Sequence, residues 1–323
     1  MFKTMLTATV ALGATCAAQS SSWAQAQRAP SPAIREAAPL PKVAHTTIKG
    51  ITYAYQARGQ GEPLLLLHGG LGSSDMFEPL LPALGANRLL ITVDLQGHGR
   101  TTLGTRPIRC EAIADDLATL LKQLGHAQVD VMGYSFGGCV ALRLAIQHPE
   151  AVRRLALVST PFSDDGWYTE MKPQQAAVSH EMFAMMKETP MYTSYAAVAP
   201  QVDDFPKLLD AMGDLMRQKY DWSADVARLA KTHIAVMLVY GDADMTRPEH
   251  EVKFYQLLGG GLRDAGWGRE TMSRNRLAIL PDATHYDIFT SPRLPETLRP
   301  FLDGKTSAKS WADQVTKQTS PRK

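Results

Sequence analysis

The stretch QVDVMGYSFGGCVALRLAIQHP, from Gln128 to Pro149, restricts the possible folds more than any other part of the chain. A short β-branched run carrying Val129 and Val131 passes at once into Gly133-Tyr134-Ser135-Phe136-Gly137, then into small residues and leucines with helical character. The order is strand, G-x-S-x-G, helix. A nucleophilic hydroxyl explains it, because such a group must stand at the end of a sheet on a turn sharp enough to strain its backbone by about 1 to 3 kcal/mol. Gly133 and Gly137 flank the serine at the two positions where a Cβ would keep strand and helix apart. The same turn sets Ser135 at a helix N-terminus, where free N–H groups and the positive dipole end favour an oxyanion.

Buried strands of the same kind recur along the chain. Glu62-Pro63-Leu64-Leu65-Leu66-Leu67 is a continuous apolar run suited to a strand covered on both faces, and it ends in His68-Gly69-Gly70-Leu71-Gly72. Leu89 to Asp94 forms the next, followed by Gln96-Gly97-His98-Gly99-Arg100-Thr101. Further strands are predicted over Arg154–Thr160, Ile234–Tyr240 and Arg276–Leu280, and a hairpin about Lys49-Gly50 within Ala44–Ala57. Ile113, Leu117, Leu120, Leu121 and Leu124 fall at helical spacing before Gly125; helices are also expected over Pro248–Leu258 and Pro292–Leu302. Alternating strands and helices predict an α/β fold with a mainly parallel, doubly wound sheet. The regularity breaks between Pro161 and Thr232, where several helices are punctuated by proline and dense in methionine, a residue that fills irregular apolar space. Most of those methionines are read as core of the inserted segment.

Taken together, these strand-end motifs resemble the α/β-hydrolase fold family, whose elbow is strand, G-x-S-x-G, helix. The resemblance implies a core over residues 44–160 and 233–303 and a helical cap over 161–232, inserted after the sixth strand. It makes Ser135 the nucleophile and His285, in Pro281-Asp282-Ala283-Thr284-His285, the base. The acid is Asp244 in Gly241-Asp242-Ala243-Asp244, with Pro248 shortly after, leaving Asp242 to the turn itself. Nucleophile, acid, base is the chain order of this family. Backbone N–H groups of Gly70 and Phe136 would form the oxyanion hole. Asp94 and His98 are read as holding their own loop, His68 as part of a glycine turn, and His45, His126, His148, His180, His233 and His250 as surface or helix-end residues. Leu71, Trp167 and Tyr168 are candidates for substrate contact. A polar segment over 259–275 widens the gap between acid and base to about 40 residues, and its Trp267 is a candidate for the active-site rim.

The activity implied is hydrolysis of a carboxylic ester of a small, largely apolar substrate through an acyl-enzyme, with no cofactor. Lactone, carbon–carbon bond or amide hydrolysis and perhydrolysis on the same triad stay open, as does a non-enzymatic small-molecule receptor. Serine at the elbow argues against the epoxide hydrolase and dehalogenase branches, which need aspartate there.

At the N-terminus, Lys3, an apolar run from Met5 to Ala18 and Ala24-Gln25-Ala26 read as a signal peptide, residues 1–26, cleaved after Ala26 or, as second choice, Ala24. The run is short of the roughly 20 residues needed to span a bilayer. The chain is therefore expected to be exported, periplasmic or secreted, with no integral span in its mature form. Residues 27–43 read as a flexible lead-in and 304–323 as a disordered tail. Cleavage removes Cys16 and leaves Cys110 and Cys139, for which buried, unpaired thiols are the favoured reading over a disulfide. Neither has metal-site spacing. A net charge of +2 on 323 residues predicts no nucleic-acid partner; the oligomeric state is left open.

Overall fold

In the computed structural model of the chain, residues 42–305 are described, together with Ser310, Trp311 and Val315. The segment expected to be a signal peptide and nearly all of the expected lead-in lie outside the described residues, as does most of the tail. The sheet has eight strands in the order β1-β2-β4-β3-β5-β6-β7-β8. These are β1 (Ala44–Ile48), β2 (Ile51–Gly59), β3 (Glu62–Leu67), β4 (Arg88–Val93), β5 (Val129–Tyr134), β6 (Val152–Val158), β7 (Ala235–Ala243) and β8 (Arg276–Thr284). β1 and β2 form the expected hairpin, turned by Lys49 and Gly50 at φ 46° and 82°, and β2 meets β4 antiparallel. Every other pairing is parallel.

Leu64 to Leu67 show why an unbroken apolar run suits the centre of such a sheet. Leu65 and Leu67 enter one core with Ile91, Val93, Val129 and Val131, whereas Leu64 and Leu66 enter the other with Leu90 and Met132. Helices α2 (Cys110–Gln123), α3 (Phe136–Gln147) and α9 (Pro248–Leu257) bury side chains in the first core; α1 (Leu81–Leu84) and α10 (Arg293–Leu302) do so in the second. Both faces are thus covered, and the carboxyl ends of the parallel strands form the crevice where such folds place their sites.

Between β6 and β7 run α4 (Met171–Ala176), α5 (Phe183–Met186), α6 (Pro190–Val198), α7 (Phe205–Met216) and α8 (Ser223–Leu229). The insertion is closed at its base by the Ser163–Asp221 bridge and by Trp222 N–H donating to Phe162 O at 3.0 Å. Met186 and Met212 are buried, but Met185, Met191 and Met216 are exposed, so methionine here is less uniformly core than its density suggests. Trp267 packs edge-on against Trp311 of the tail, ring centres 4.6 Å apart. No helix among the described residues is long and apolar enough to cross a membrane.

Candidate active site

Ser135 lies between β5 and α3 with φ 53° and ψ −117°, a conformation that L side chains rarely adopt and that costs about 1 to 3 kcal/mol. Two contacts hold it there: its N–H donates to Val158 O and its C=O accepts from Cys139 N–H, each at 3.0 Å. The flanking glycines are required sterically. A Cβ on Gly137 would run into the carbonyls of Leu67 and His68 at the end of β3, and one on Gly133 into the backbone of Gly137.

Opposite the hydroxyl stands His285, just beyond β8, with Nε2 3.0 Å from Ser135 Oγ. Its Nδ1 is 2.9 Å from Asp244 Oδ1. Three side chains brought from the ends of β5, β7 and β8 therefore form one line, 150 residues separating Ser135 from His285. Tyr134, the first of the elbow's two variable residues, donates its hydroxyl to the His285 carbonyl at 2.6 Å, and burial pushes that hydroxyl up so that it keeps its proton. Asp244 Oδ2 accepts from Ser159 Oγ at 2.5 Å and from Gly241 N–H at 3.3 Å, while Oδ1 also accepts from Thr246 N–H at 3.3 Å. Burial would raise the Asp244 carboxyl, but the hydrogen bonds from His285 and Ser159 outweigh it and leave the group below the usual carboxylate range. A carboxylate so fixed orients the imidazole and can stabilise its protonated form.

Phe136 is the first residue of α3, so its N–H has no partner within the helix. Gly70 lies beside it: a Cβ there would come 3.9 Å from Phe136 Cβ. The same Cβ would come 3.0 Å from Met212 Cε, which places α7 of the insertion directly over this corner. Trp167 stands edge-on to His285, ring centres 5.9 Å apart, and its backbone bridges to Thr246. Leu71 is half-buried with φ 56° and packs on the first core; Tyr168 is half-buried and its N–H donates to Met245 O at 3.3 Å.

The two glycine-rich loops are joined by polar side chains that do not take part in the line. Asp94 accepts from Ser74 N–H at 2.7 Å and Arg100 N–H at 2.8 Å, and Leu95 N–H donates to His68 Nε2 at 3.0 Å. Burial pushes both His68 and His98 down, His98 to about 3, and the His98 ring packs 5.5 Å from Phe136. Both imidazoles are neutral near pH 7 and help hold the loops beside Gly70 and Phe136 in shape. Asp242 accepts from Ala283 N–H at 3.2 Å, tying the end of β7 to β8.

Three residues escape sequence reasoning. Ser159, at φ 52°, ends β6 early, at Val158 rather than Thr160, and serves Asp244. Met212 is buried above Gly70 while its neighbour in type, Met216, is exposed. His250 stands at a helix end, in the first turn of α9, but not on the surface: it is buried, stacked on Phe162 at 4.0 Å, and its Nε2 accepts from Phe162 N–H at 3.1 Å. Burial pushes it down to about 4, which keeps Nε2 free to accept. Only the position of His250 inside α9 was visible locally; its partner lies 88 residues away.

A family model described as the alpha/beta hydrolase fold matches residues 62–253. An uncharacterized protein of Mycobacterium tuberculosis is 24% identical over 299 residues, covering 84% of this chain and 83% of its own. A pimeloyl-(acyl-carrier protein) methyl ester esterase of Neisseria meningitidis is 40% identical over 95 residues, 29% of this chain and 35% of that one. Among solved structures, a thermophilic esterase from Thermogutta terrifontis superposes with a TM-score of 0.62 at 21% identity, over 81% of this chain and 98% of its own.

Proposed function

The chain belongs to the α/β-hydrolase fold family, and from that premise we propose that it cleaves the carboxylic ester of a small, largely apolar substrate through an acyl-enzyme. The observation that carries the reading is the unbroken line Ser135–His285–Asp244, with contacts of 3.0 and 2.9 Å. His285 Nε2 takes the proton of Ser135 Oγ as the oxygen attacks the ester carbonyl; the Gly70 and Phe136 N–H groups receive the oxyanion. His285 then protonates the departing alcohol, and a water activated by the same ring hydrolyses the acyl group. Asp244 fixes the tautomer throughout. Met212, beside Gly70, and Trp167, edge-on to His285, supply apolar surface near the reacting atoms, which favours a hydrocarbon acyl or alcohol group over a charged one. The likeness to methyl ester and other esterases agrees with ester cleavage. Export is part of the proposal, on the basic, apolar and Ala-Gln-Ala segments of residues 1–26.

The test is a panel of p-nitrophenyl esters of increasing chain length set beside polar esters, lactones and amides. Efficient turnover of apolar acyl esters is expected. Preference for charged acyl groups would overturn the apolar reading, and turnover of lactones or amides alone would overturn the ester reading.

A further inference from the structure

In the proposed reaction the alcohol leaves beside His285, because Nε2 of that ring hands the proton of Ser135 Oγ to the departing oxygen. Two of the aromatic rings packed on the imidazole keep surface free for a ligand. Trp167, from the inserted segment, stands edge-on to it with ring centres 5.9 Å apart and planes at 73°. Tyr286, the residue after the base, meets it at 5.6 Å and 78°. Trp167 is half-buried and Tyr286 is 66% exposed, and Ser135 itself is half-buried rather than closed off. Neither ring stands on a loose backbone. Trp167 pairs with Thr246, two residues after Asp244: Arg247 N–H donates to Gly166 O at 2.9 Å and Tyr168 N–H to Met245 O at 3.3 Å. Gly166 lets the segment lie this close, since a Cβ there would come 2.6 Å from Pro161 Cβ and 2.8 Å from the His250 ring. Tyr286 N–H donates to Thr284 Oγ1 at 3.2 Å, and the His285 carbonyl before it accepts from Tyr134. With both backbones fixed, little remains to be ordered when a ligand arrives.

We propose that the alcohol part of the substrate ester is aromatic, an aryl or arylmethyl group, and that Trp167 and Tyr286 are the residues that select it. This rests on the ester reading of the same site. Attack forms the bond from Ser135 Oγ to the acyl carbon and breaks the bond from that carbon to the alcohol oxygen, which departs with the serine's proton by way of His285. As it departs, its substituent lies beside the imidazole, where an aromatic ring makes offset or edge contacts to Trp167 and Tyr286 that a saturated ring of the same size does not. Each such pair is worth roughly twofold to tenfold in affinity beyond the area it buries.

The test compares benzyl butanoate with cyclohexylmethyl butanoate, which share the acyl group and differ in the alcohol ring. The readout is kcat/KM, divided by each ester's rate constant for hydrolysis by hydroxide. It covers the steps up to release of the alcohol, whereas a kcat limited by deacylation would be the same for both. From the wild-type chain a ratio of about tenfold in favour of benzyl is expected. Trp167→Leu and Tyr286→Leu should each lower that ratio about threefold and together bring it near one. Benzyl alcohol should also inhibit the wild-type enzyme at lower concentration than cyclohexylmethanol, a reading that needs no variant to fold. Equal corrected kcat/KM for the two esters, or a benzyl preference that survives in the folded double variant, would overturn the proposal and leave ester cleavage standing. Turnover of neither ester, nor of any p-nitrophenyl ester, would overturn both.

Discussion

Two buried carboxylates sit at opposite edges of the same sheet, and their surroundings differ in kind. Asp130, near the start of β5, is met by Arg88 Nη1 at 2.8 Å, by Arg153 Nε at 2.8 Å and by Arg154 at 3.6 Å. Arg153 is held further above its ordinary value by Asp130 and then by Glu62. Every partner at that edge is a guanidinium, and guanidinium groups do not give up a proton in proteins. Asp244, at the carboxyl edge, is met by one imidazole, one hydroxyl and backbone N–H groups. Its environment is neutral and contains a ring that can gain and lose a proton. Positive φ at Ser135, Ser159 and Leu71 clusters at this edge as well. The contrast sets an ion-paired, cohesive end of the sheet against the end that carries the candidate site, where backbone strain at Ser135 aims a hydroxyl at an imidazole.

Substitutions at the two edges should therefore separate activity from stability. The largest effect is expected from Ser135→Ala, which should lower ester turnover by on the order of 10⁶ without loss of Tm. An esterase assay beside a thermal melt checks both. Asp244→Asn should cost about 10⁴ in kcat, because the amide favours the wrong imidazole tautomer, again with the fold intact. At the other edge the pattern should invert. Asp130→Ala leaves the buried Arg88 with Asp303 alone, at 3.0 Å, and removes the shared partner of Arg153 and Arg154; it should cost about 3 kcal/mol in denaturant unfolding, with kcat per folded molecule unchanged. If Asp130→Ala cut kcat as deeply as Asp244→Asn, the division of labour would fail.

A smaller effect sharpens the comparison from inside the active-site edge. Glu251, buried on α9, has its carboxyl pushed up to about 8 by burial, with Asp244 and Glu249 adding to it. Its ordinary value is 4.5, so between those two pH values the folded chain holds a proton that the unfolded chain has lost. Stability from this group is present at low pH and is lost as pH rises through that window. Glu251→Gln has no proton to lose, so its stability relative to wild type should grow from about pH 4.5 to about 8 and level off above. Urea unfolding at several pH values measures it; a pH-independent difference would contradict the assignment.

How much of this was legible beforehand depends on whether the cause is local. The unbroken Leu64–Leu67 run could only be a strand with both faces covered, and the Lys49-Gly50 turn could only be a hairpin, because backbone and burial requirements sit in adjacent residues. Ser135, Asp244 and His285 were readable for a similar reason: each stands in a strand-end motif, and the family's chain order links them. Asp130 was hidden inside an apolar run, since the residues that neutralise it lie 42 and 23 positions away. Ser159, His250 and Met212 were hidden for the same reason, and each is defined by what folds against it. β7 and β8 also continue past their apolar stretches, to Ala243 and Thr284, because they pair with each other across a register shift. Pairing extends a strand where composition would end it.

In the proposed mechanism the Ser135 hydroxyl, activated by His285, carries the acyl group during turnover. Acid-quenching the enzyme while it turns over an excess of a slowly deacylated ester, followed by peptide mapping, tests this directly. The acyl group is expected on Ser135, with none in His285→Ala. Acylation at another residue, or sustained ester turnover with Ser135 never modified, would contradict it.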